Sequence, residues 1–296
     1  MSELGWDTIW DLFRYALLAA LLAGVVCPLT GSFLLVRRTG FYGVTLPQFA
    51  TAGVAFGYAL LPWWIARVGL GGMDLPAALE SPHALEFYLL AWAIVFTFAG
   101  LYALVITGRG GGTEAGRVAA SFAIASAATI LFSMAAPTGS EFVEFLLHGE
   151  ILVVGLHEFE TIAVAYGLVL LAFVLFHRDL CLVSFDPDTA RVLGKSVRRA
   201  ELLLMLLTGL TVSVGVLIVG PVVLFGLLVL PPLLARSLAR SMTSYHVLAA
   251  GLGLAAVTGG MLLSFGADWP LGPSVVVVAA SLLPLGMVRA RPRRAS

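Results

Sequence analysis

The chain has 296 residues, of which 60% are hydrophobic and 11% are charged, and its mean hydropathy is +1.00. Soluble domains carry about 25% charged residues, so this composition excludes an ordinary water-soluble protein and predicts a protein embedded in a lipid bilayer. Seventeen basic and seventeen acidic residues give a formal net charge of zero, without the basic surplus of nucleic-acid-binding proteins. Of the two cysteines, Cys27 lies inside an apolar run and Cys181 in a predicted short polar link, which argues against a disulfide framework or a cysteine-based zinc site.

About nine apolar segments approach the length of roughly 20 residues that a helix needs to cross the hydrocarbon core of a bilayer. In chain order they cover residues 12–36, 45–66, 86–107, 118–136, 159–177, 200–219, 221–236, 246–265 and 272–288. The pair Gly220-Pro221 is compatible with a tight hairpin outside the membrane or with a break inside it, so eight or ten spans also stay open. The pattern predicts an all-α fold, a polytopic bundle of about eight to nine transmembrane helices forming a single domain over residues 1–296.

Basic residues are concentrated on one side of the predicted membrane. Fifteen of the seventeen Lys and Arg residues, from Arg37 to Arg294, fall in loops of the same side, whereas most acidic residues fall on the other. Loops rich in Lys and Arg remain in the cytoplasm. We therefore expect a multi-pass protein of a plasma membrane or bacterial inner membrane, with its N-terminus outside and a basic cytoplasmic tail over residues 289–296.

The predicted spans contain few ionisable residues. Carriers coupled to protons or sodium depend on such groups within their spans, so the sequence disfavours an independent channel or secondary carrier. The polar residues within the spans are instead mostly hydroxyls, which usually bond to their own helix or to a neighbour: Thr45, Gln48, Thr51, Ser121, Ser126, Thr129, Ser133, Thr208, Thr211 and Ser213. His83 and His246 stand alone near span ends and His177 lies beside Arg178, so all three are interpreted as ordinary interfacial residues. No cluster typical of an active site is predicted at membrane depth.

A short helix with strong end signals is predicted in the loop over residues 184–195. Asp186 can act as N-cap, Pro187 suits the first helical position, Asp188 adds negative charge to the first turn, and Gly194 can adopt the left-handed stop. Three apolar residues are available to a partner: Phe185, Val192 and Leu193. The alternative is a connector that lies on the lipid surface. No nucleotide-binding loop is encoded here.

The predicted outer segment from Ser140 to Glu160 is rich in carboxylates and imidazoles. These groups suit zinc, manganese or iron, and His148, Glu150 and His157 are candidate ligands. Two alternatives are a merely solvated acidic loop and a docking surface for an external partner.

Several stretches, in a constant order, resemble one known family. They are Gly31 to Arg38 running into Phe41-Tyr42-Gly43, then Ala52 to Gly57, Leu147 to Leu152, Asp186 to Gly194, Gly220 through Pro231, and Gly272-Pro273-Ser274. Together they resemble the integral-membrane permeases of ATP-binding-cassette (ABC) importers for zinc, manganese and iron. The resemblance covers most of the chain, from Gly31 to about Val288.

The resemblance implies a division of labour among subunits. The short helix, residues 186–195, is similar to the coupling helix that contacts a separate ATPase subunit, so Asp188, Arg191 and Gly194 are expected at that contact. ATP would be bound by the partner, with no cofactor in this chain and no enzymatic activity of its own. Further expected partners are an extracytoplasmic metal-binding protein and a second permease, as a homodimer or a heterodimer.

The chain departs from the family pattern in its second predicted span. Family members carry an Asp and a His one helical turn apart, which look like the metal-handling pair; here Val44 and Gln48 stand at those positions. Valine offers no ligand atom, and the neutral amide of Gln48 is a poor zinc ligand. We expect Thr45, Gln48 and Thr51 to line the translocation path, with Gln48 as a candidate ligand. The alternative function is a non-conducting or regulatory subunit that pairs with a metal-competent relative.

Overall fold

The computed structural model describes residues 6–37, 39–40, 42–67, 82–107, 113–136, 155–284 and 286, and these residues are overwhelmingly helical, with no β-strand among them. The helices are α1 (Trp6–Val36), α2 (Tyr42–Arg67), α3 (Pro82–Thr107), α4 (Glu114–Ala135), α5 (Leu156–Phe185), α6 (Pro187–Val192), α7 (Val197–Leu238), α8 (Met242–Ala267) and α9 (Leu271–Ser281). The predicted all-α fold is confirmed. The predicted basic tail, residues 289–296, lies outside the described residues.

Seven of the described helices, all except α6 and α9, are long and apolar enough to cross a membrane. Every apolar segment predicted from the sequence overlaps one of these helices or the eleven-residue α9. The sixth and seventh segments both fall within α7, which has 42 residues. The predicted polytopic helix bundle is therefore confirmed.

The long helix α7 reverses direction at Gly220, whose φ of 75° and ψ of 160° are not helical. In a straight helix Thr211 and Leu228 would lie about 25 Å apart. Both instead contact consecutive residues of α1: the Thr211 hydroxyl lies 3.2 Å from that of Thr30, and Gly31 packs against the Leu228 carbonyl. Residues 197–219 and 221–238 thus form a helical hairpin that turns at the Gly-Pro pair.

Buried hydroxyls in the spans mostly bond within the bundle. The Thr211 and Thr51 hydroxyls donate to carbonyls one turn earlier in their own helices, both at 2.8 Å, and the Ser213 hydroxyl donates to that of Thr97 at 3.0 Å. The packing interpretation of these side chains is thereby confirmed. The hydroxyls of Ser126 and Thr208 are exceptions, since they are buried without a hydrogen-bond partner.

The ends of α1, α5 and α7 meet the start of α8 on the side of the bundle that carries α6, here called the α6 side. Arg37, directly after α1, pairs with Glu201 in the second turn of α7, and Lys195 pairs with Asp179 near the end of α5 at 2.8 Å. A small apolar cluster joins the same helix ends and includes Val36, Ala235, Tyr245 and Ala249. The α6 side therefore carries the described basic residues that the sequence assigned to the cytoplasmic loops.

Candidate functional sites in the bundle and at α6

The short helix α6 begins where the sequence predicted. The carboxylate of Asp186 accepts hydrogen bonds from the backbone amide of Thr189, at 3.0 Å, and from its hydroxyl, and Pro187 occupies the first helical position. These bonds stabilise the ionised carboxylate, and the side-chain bond to Thr189 is the largest of the effects that lower the pKa of Asp186 below its ordinary value of 3.8. The cap is therefore fully ionised at neutral pH.

Gly194 ends α6 in the left-handed conformation, with a φ of +73°. The amide of Gly194 donates to the Arg191 carbonyl at 3.0 Å, and the amide of Lys195 donates to the Ala190 carbonyl at 2.9 Å. These two bonds form a Schellman motif, which satisfies carbonyls that the helix end would leave unpaired. A Cβ atom at position 194 would meet no neighbouring atom within 4 Å, so glycine is required here by the backbone conformation and not by close packing.

The outer surface of α6 is unusually apolar for a segment next to water. The exposed fractions are 75% for Phe185, 88% for Val192 and 63% for Leu193. On the opposite face, Ala190 is fully buried against residues of α5 and α7. Asp188 and Arg191 form an ion pair one turn apart on the exposed surface. The predicted capped helix is therefore present, and it presents apolar side chains to its surroundings.

The residues expected along the path lie near the start of α2. Thr45 and Thr51 are fully buried, whereas Val44 and Gln48 are partly exposed and lie one turn apart on the same helix face. The helix continues through Pro47, whose carbonyl accepts a hydrogen bond from the Thr51 hydroxyl. This face of α2 thus combines a hydrocarbon with a neutral amide and presents neither a carboxylate nor an imidazole at these two positions.

The other predicted metal ligands are not assembled around Gln48 in the described residues. His157 is exposed in the first turn of α5 and contacts the Glu160 carboxylate at 3.4 Å. That turn lies at the end of α5 remote from α6, whereas α2 begins on the α6 side. His148 and Glu150 lie outside the described residues, and so does most of the acidic segment that contains them.

The structure reveals a polar cluster that the sequence interpretation missed. His177 and Cys181 on α5 meet His246 on α8, and one potential ligand atom from each of the three residues lies within 4.8 Å of the other two. The expectation that His246 stands alone was therefore wrong, as was the expectation that Cys181 lies in a polar link, since it lies within the apolar helix α5. The local signal available in the sequence was the four-residue spacing of His177 and Cys181, which places both on one face of a helix. His83 lies at the start of α3, where side chains are not described.

Comparison with known proteins identifies the family. A sequence model of the ABC 3 transport family matches residues 10–290. The chain belongs to this family. The resemblance to permeases of zinc, manganese and iron importers is thereby confirmed, and so is the assignment of the chain as a membrane-spanning ABC permease.

Two curated relatives in the ABC 3 family cover nearly the whole chain. The high-affinity zinc uptake system membrane protein ZnuB of Haemophilus influenzae is 27% identical, over 92% of this chain and 97% of its own length. The manganese transport system membrane protein MntC of Halalkalibacterium halodurans is 26% identical, over 93% and 86%. The solved structure of PsaBC from Streptococcus pneumoniae in complex with Fab has the same fold, with a TM-score of 0.78 at 22% identity, covering 96% of this chain and 95% of that one.

Proposed function

We propose that this chain is the permease subunit of an ABC importer that moves a divalent transition-metal ion, zinc, manganese or iron, driven by a separate ATPase subunit. Membership of the ABC 3 family supports the transporter class, and the zinc and manganese relatives support the substrate class. The proposal of a separate ATPase partner rests on α6, a capped helix whose exposed side is apolar.

The construction of α6 suits a helix that transmits movement. Its two ends are fixed by the Asp186 cap and the Gly194 stop, so that six residues retain a helical shape that they would not hold alone in water. Ala190 packs against Val183 at the end of α5 and Val197 at the start of α7. A partner that pushes on α6 therefore acts directly on α7, whose halves pack against α1 in the centre of the bundle.

The remaining partners follow from the same proposal. ATP is bound by the ATPase, so this chain needs no cofactor and is a transport subunit and not an enzyme. An extracytoplasmic metal-binding protein delivers the ion to the face opposite α6, where His157 lies. The α6 side faces the cytoplasm, because it carries the basic helix ends. Two permease chains, identical or related, complete the membrane part of the importer.

One observation favours a second candidate function. Val44 and Gln48 stand together on α2 at the positions where family members carry the Asp and the His. A path without either ligand suits a non-conducting or regulatory permease that pairs with a metal-competent relative. This candidate predicts that a second permease, which retains the Asp and the His, is present in the same complex.

The first test is to purify the tagged full chain gently from its native membrane and to identify the co-purifying polypeptides by mass spectrometry. Recovery of an ABC ATPase with this chain as the sole permease supports an importer whose translocation path has Val44 and Gln48 in place of the Asp and the His. An ATPase with a second permease that carries the Asp and the His supports the regulatory candidate. Recovery without any ATPase contradicts both.

The role of α6 is tested by placing a charge on its apolar surface. Val192→Asp puts a carboxylate where the partner is expected, and we expect recovery of the ATPase to fall by at least tenfold, because burying an unpaired charge at an interface costs several kcal/mol. Thr243→Asp is the matched control, since Thr243 is also exposed on the α6 side but lies in α8. Equal ATPase recovery with both variants would show that α6 is not the docking site.

A further inference from the structure

We propose that His177, Cys181 and His246 form a binding site for one transition-metal ion of the zinc type on the α6 side of the bundle. This site is separate from the positions on α2 where family members carry the Asp and the His, because its ligands come from α5 and α8. The proposal concerns binding to this chain alone and does not require the ATPase or transport.

The ligand atoms already lie close to the spacing of a tetrahedral zinc site. Bonds of about 2.0 Å to imidazole nitrogen and about 2.3 Å to thiolate sulfur place neighbouring ligand atoms roughly 3.4 to 3.6 Å apart. The Cys181 sulfur lies 3.4 Å from Nε2 of His246 and 3.7 Å from Nε2 of His177. The two imidazole rings are 5.4 Å apart between centroids and nearly perpendicular. The two imidazole nitrogens lie within 4.8 Å of each other, so they must approach by up to about 1.4 Å for the three atoms to surround one ion.

A hydrogen-bond chain fixes which nitrogen of His246 is available. The Ser32 hydroxyl donates to the Leu29 carbonyl at 2.6 Å, so its oxygen must accept at its second contact, which is Nδ1 of His246 at 2.6 Å. Nδ1 of His246 therefore carries the proton, and Nε2 presents its lone pair towards Cys181. Metal-binding histidines typically have this arrangement, in which the second ring nitrogen donates to an oxygen that orients the ring.

One member of the cluster, His246, is held in place by its surroundings. His246 is 3% exposed, and its ring stacks on Phe33 at 4.3 Å between centroids. His177 and Cys181 are partly exposed and project from the same face of α5. A zinc-type ion would thus meet one oriented ligand and two that can adjust to it, with water as the fourth ligand. On binding, the thiol of Cys181 loses its proton to solvent and the sulfur ligates as thiolate.

The composition of the cluster selects the class of ion. Two imidazoles and one thiolate suit zinc and its borderline neighbours, including cobalt, whereas magnesium and calcium prefer oxygen ligands. An alternative is that the three side chains only bond to each other and stabilise the contact between α5 and α8. The two possibilities differ in one measurable way, because only the metal site produces a bond between the ion and the sulfur.

The test uses the purified full chain, stripped of metal and held in lipid nanodiscs. Cobalt(II) is added first, because a bond between cobalt and thiolate gives a charge-transfer band in the near ultraviolet, and zinc(II) is then titrated against a chelating dye. We expect one equivalent of cobalt to produce the band and one equivalent of zinc to abolish it. A wild-type chain that gives no band would overturn the proposal.

The variants assign the ligands. Cys181→Ser should abolish the band and His246→Gln should weaken zinc binding by at least about 100-fold, whereas Ser32→Ala should weaken it by about 10- to 100-fold, the usual effect of removing an orienting partner. Cys27→Ser is the matched control, since Cys27 is the other thiol and lies beside Tyr166, 3.5 Å from its hydroxyl. A band that survives in Cys181→Ser, or that disappears in Cys27→Ser, would contradict the assignment. His177→Gln provides a second ligand variant if Cys181→Ser does not fold.

This experiment separates the metal site from the proposed transport function. Zinc binding by wild-type chain that shows no ATPase partner would support the site and contradict the importer. An active importer whose permease gives no cobalt band would support the importer and contradict the site.

Discussion

The left-handed stop of α6 allows a test of the coupling role that separates backbone strain from side-chain bulk. Gly194 has a φ of +73°, and a Cβ atom at this position would meet no neighbouring atom within 4 Å. Valine in a left-handed conformation costs about 1–2 kcal/mol, whereas asparagine, of similar size, tolerates it at a much smaller cost. A loss of 1–2 kcal/mol lowers the ratio of capped to uncapped α6 by roughly 5- to 30-fold. Because the site is open, the ends of α5 and α7 should be unaffected.

The assay compares ATP hydrolysis with metal uptake in proteoliposomes that contain the complete importer. We expect Gly194→Asn to retain most of the uptake per ATP hydrolysed, Gly194→Ala to be intermediate, and Gly194→Val to lose the most uptake while the protein still inserts, with roughly 30-fold as the upper limit, reached when the uncapped form predominates. Wild-type uptake per ATP hydrolysed in Gly194→Val would refute the proposal that α6 couples ATP hydrolysis to transport. Equal loss in the Asn and Val variants would refute the strain argument, because it would indicate that any side chain at this position blocks the interface.

Three further predictions test other parts of the structure. Val44→Asp combined with Gln48→His should increase the affinity for zinc or manganese, measured by isothermal titration, whereas an unchanged affinity in a folded double variant would show that the surrounding cavity has also diverged. Gly31→Ala should destabilise the bundle by about 1–3 kcal/mol in a denaturation assay, because its Cβ would overlap the carbonyl of the opposing helix α7, while Gly167→Ala on the open surface of α5 should not. The pKa of Asp186 is lowered on folding, so the stability that its cap gives α6 should be complete above about pH 4 and should decrease as the pH falls further. Hydrogen exchange of the backbone amides within α6 should show this loss in the wild-type chain and not in Asp186→Ala.

Some candidate sites are formed by residues close together in the sequence, and others by residues far apart. The limits of α6 follow from residues within ten positions of each other, and the cap at Asp186 and the stop at Gly194 both form as the sequence predicts. The substitutions at Val44 and Gln48 are likewise readable from the sequence, because a helical turn fixes their relation. The cluster of His177, Cys181 and His246 is different, since two of its members are 65 residues apart in the chain.

The sequence by itself determined that this chain is a helical membrane protein, roughly where its spans lie, and which family it resembles, because apolar length and end signals are local properties. Only the tertiary structure decided that α7 folds back at Gly220 and that Ser32, Cys181 and His246 meet. The physical reason is that membrane helices are apolar on nearly all faces, so hydrophobic periodicity does not reveal which face packs against which neighbour. Close approach of small residues and pairing of the few polar groups settle those contacts, and both depend on the folded bundle.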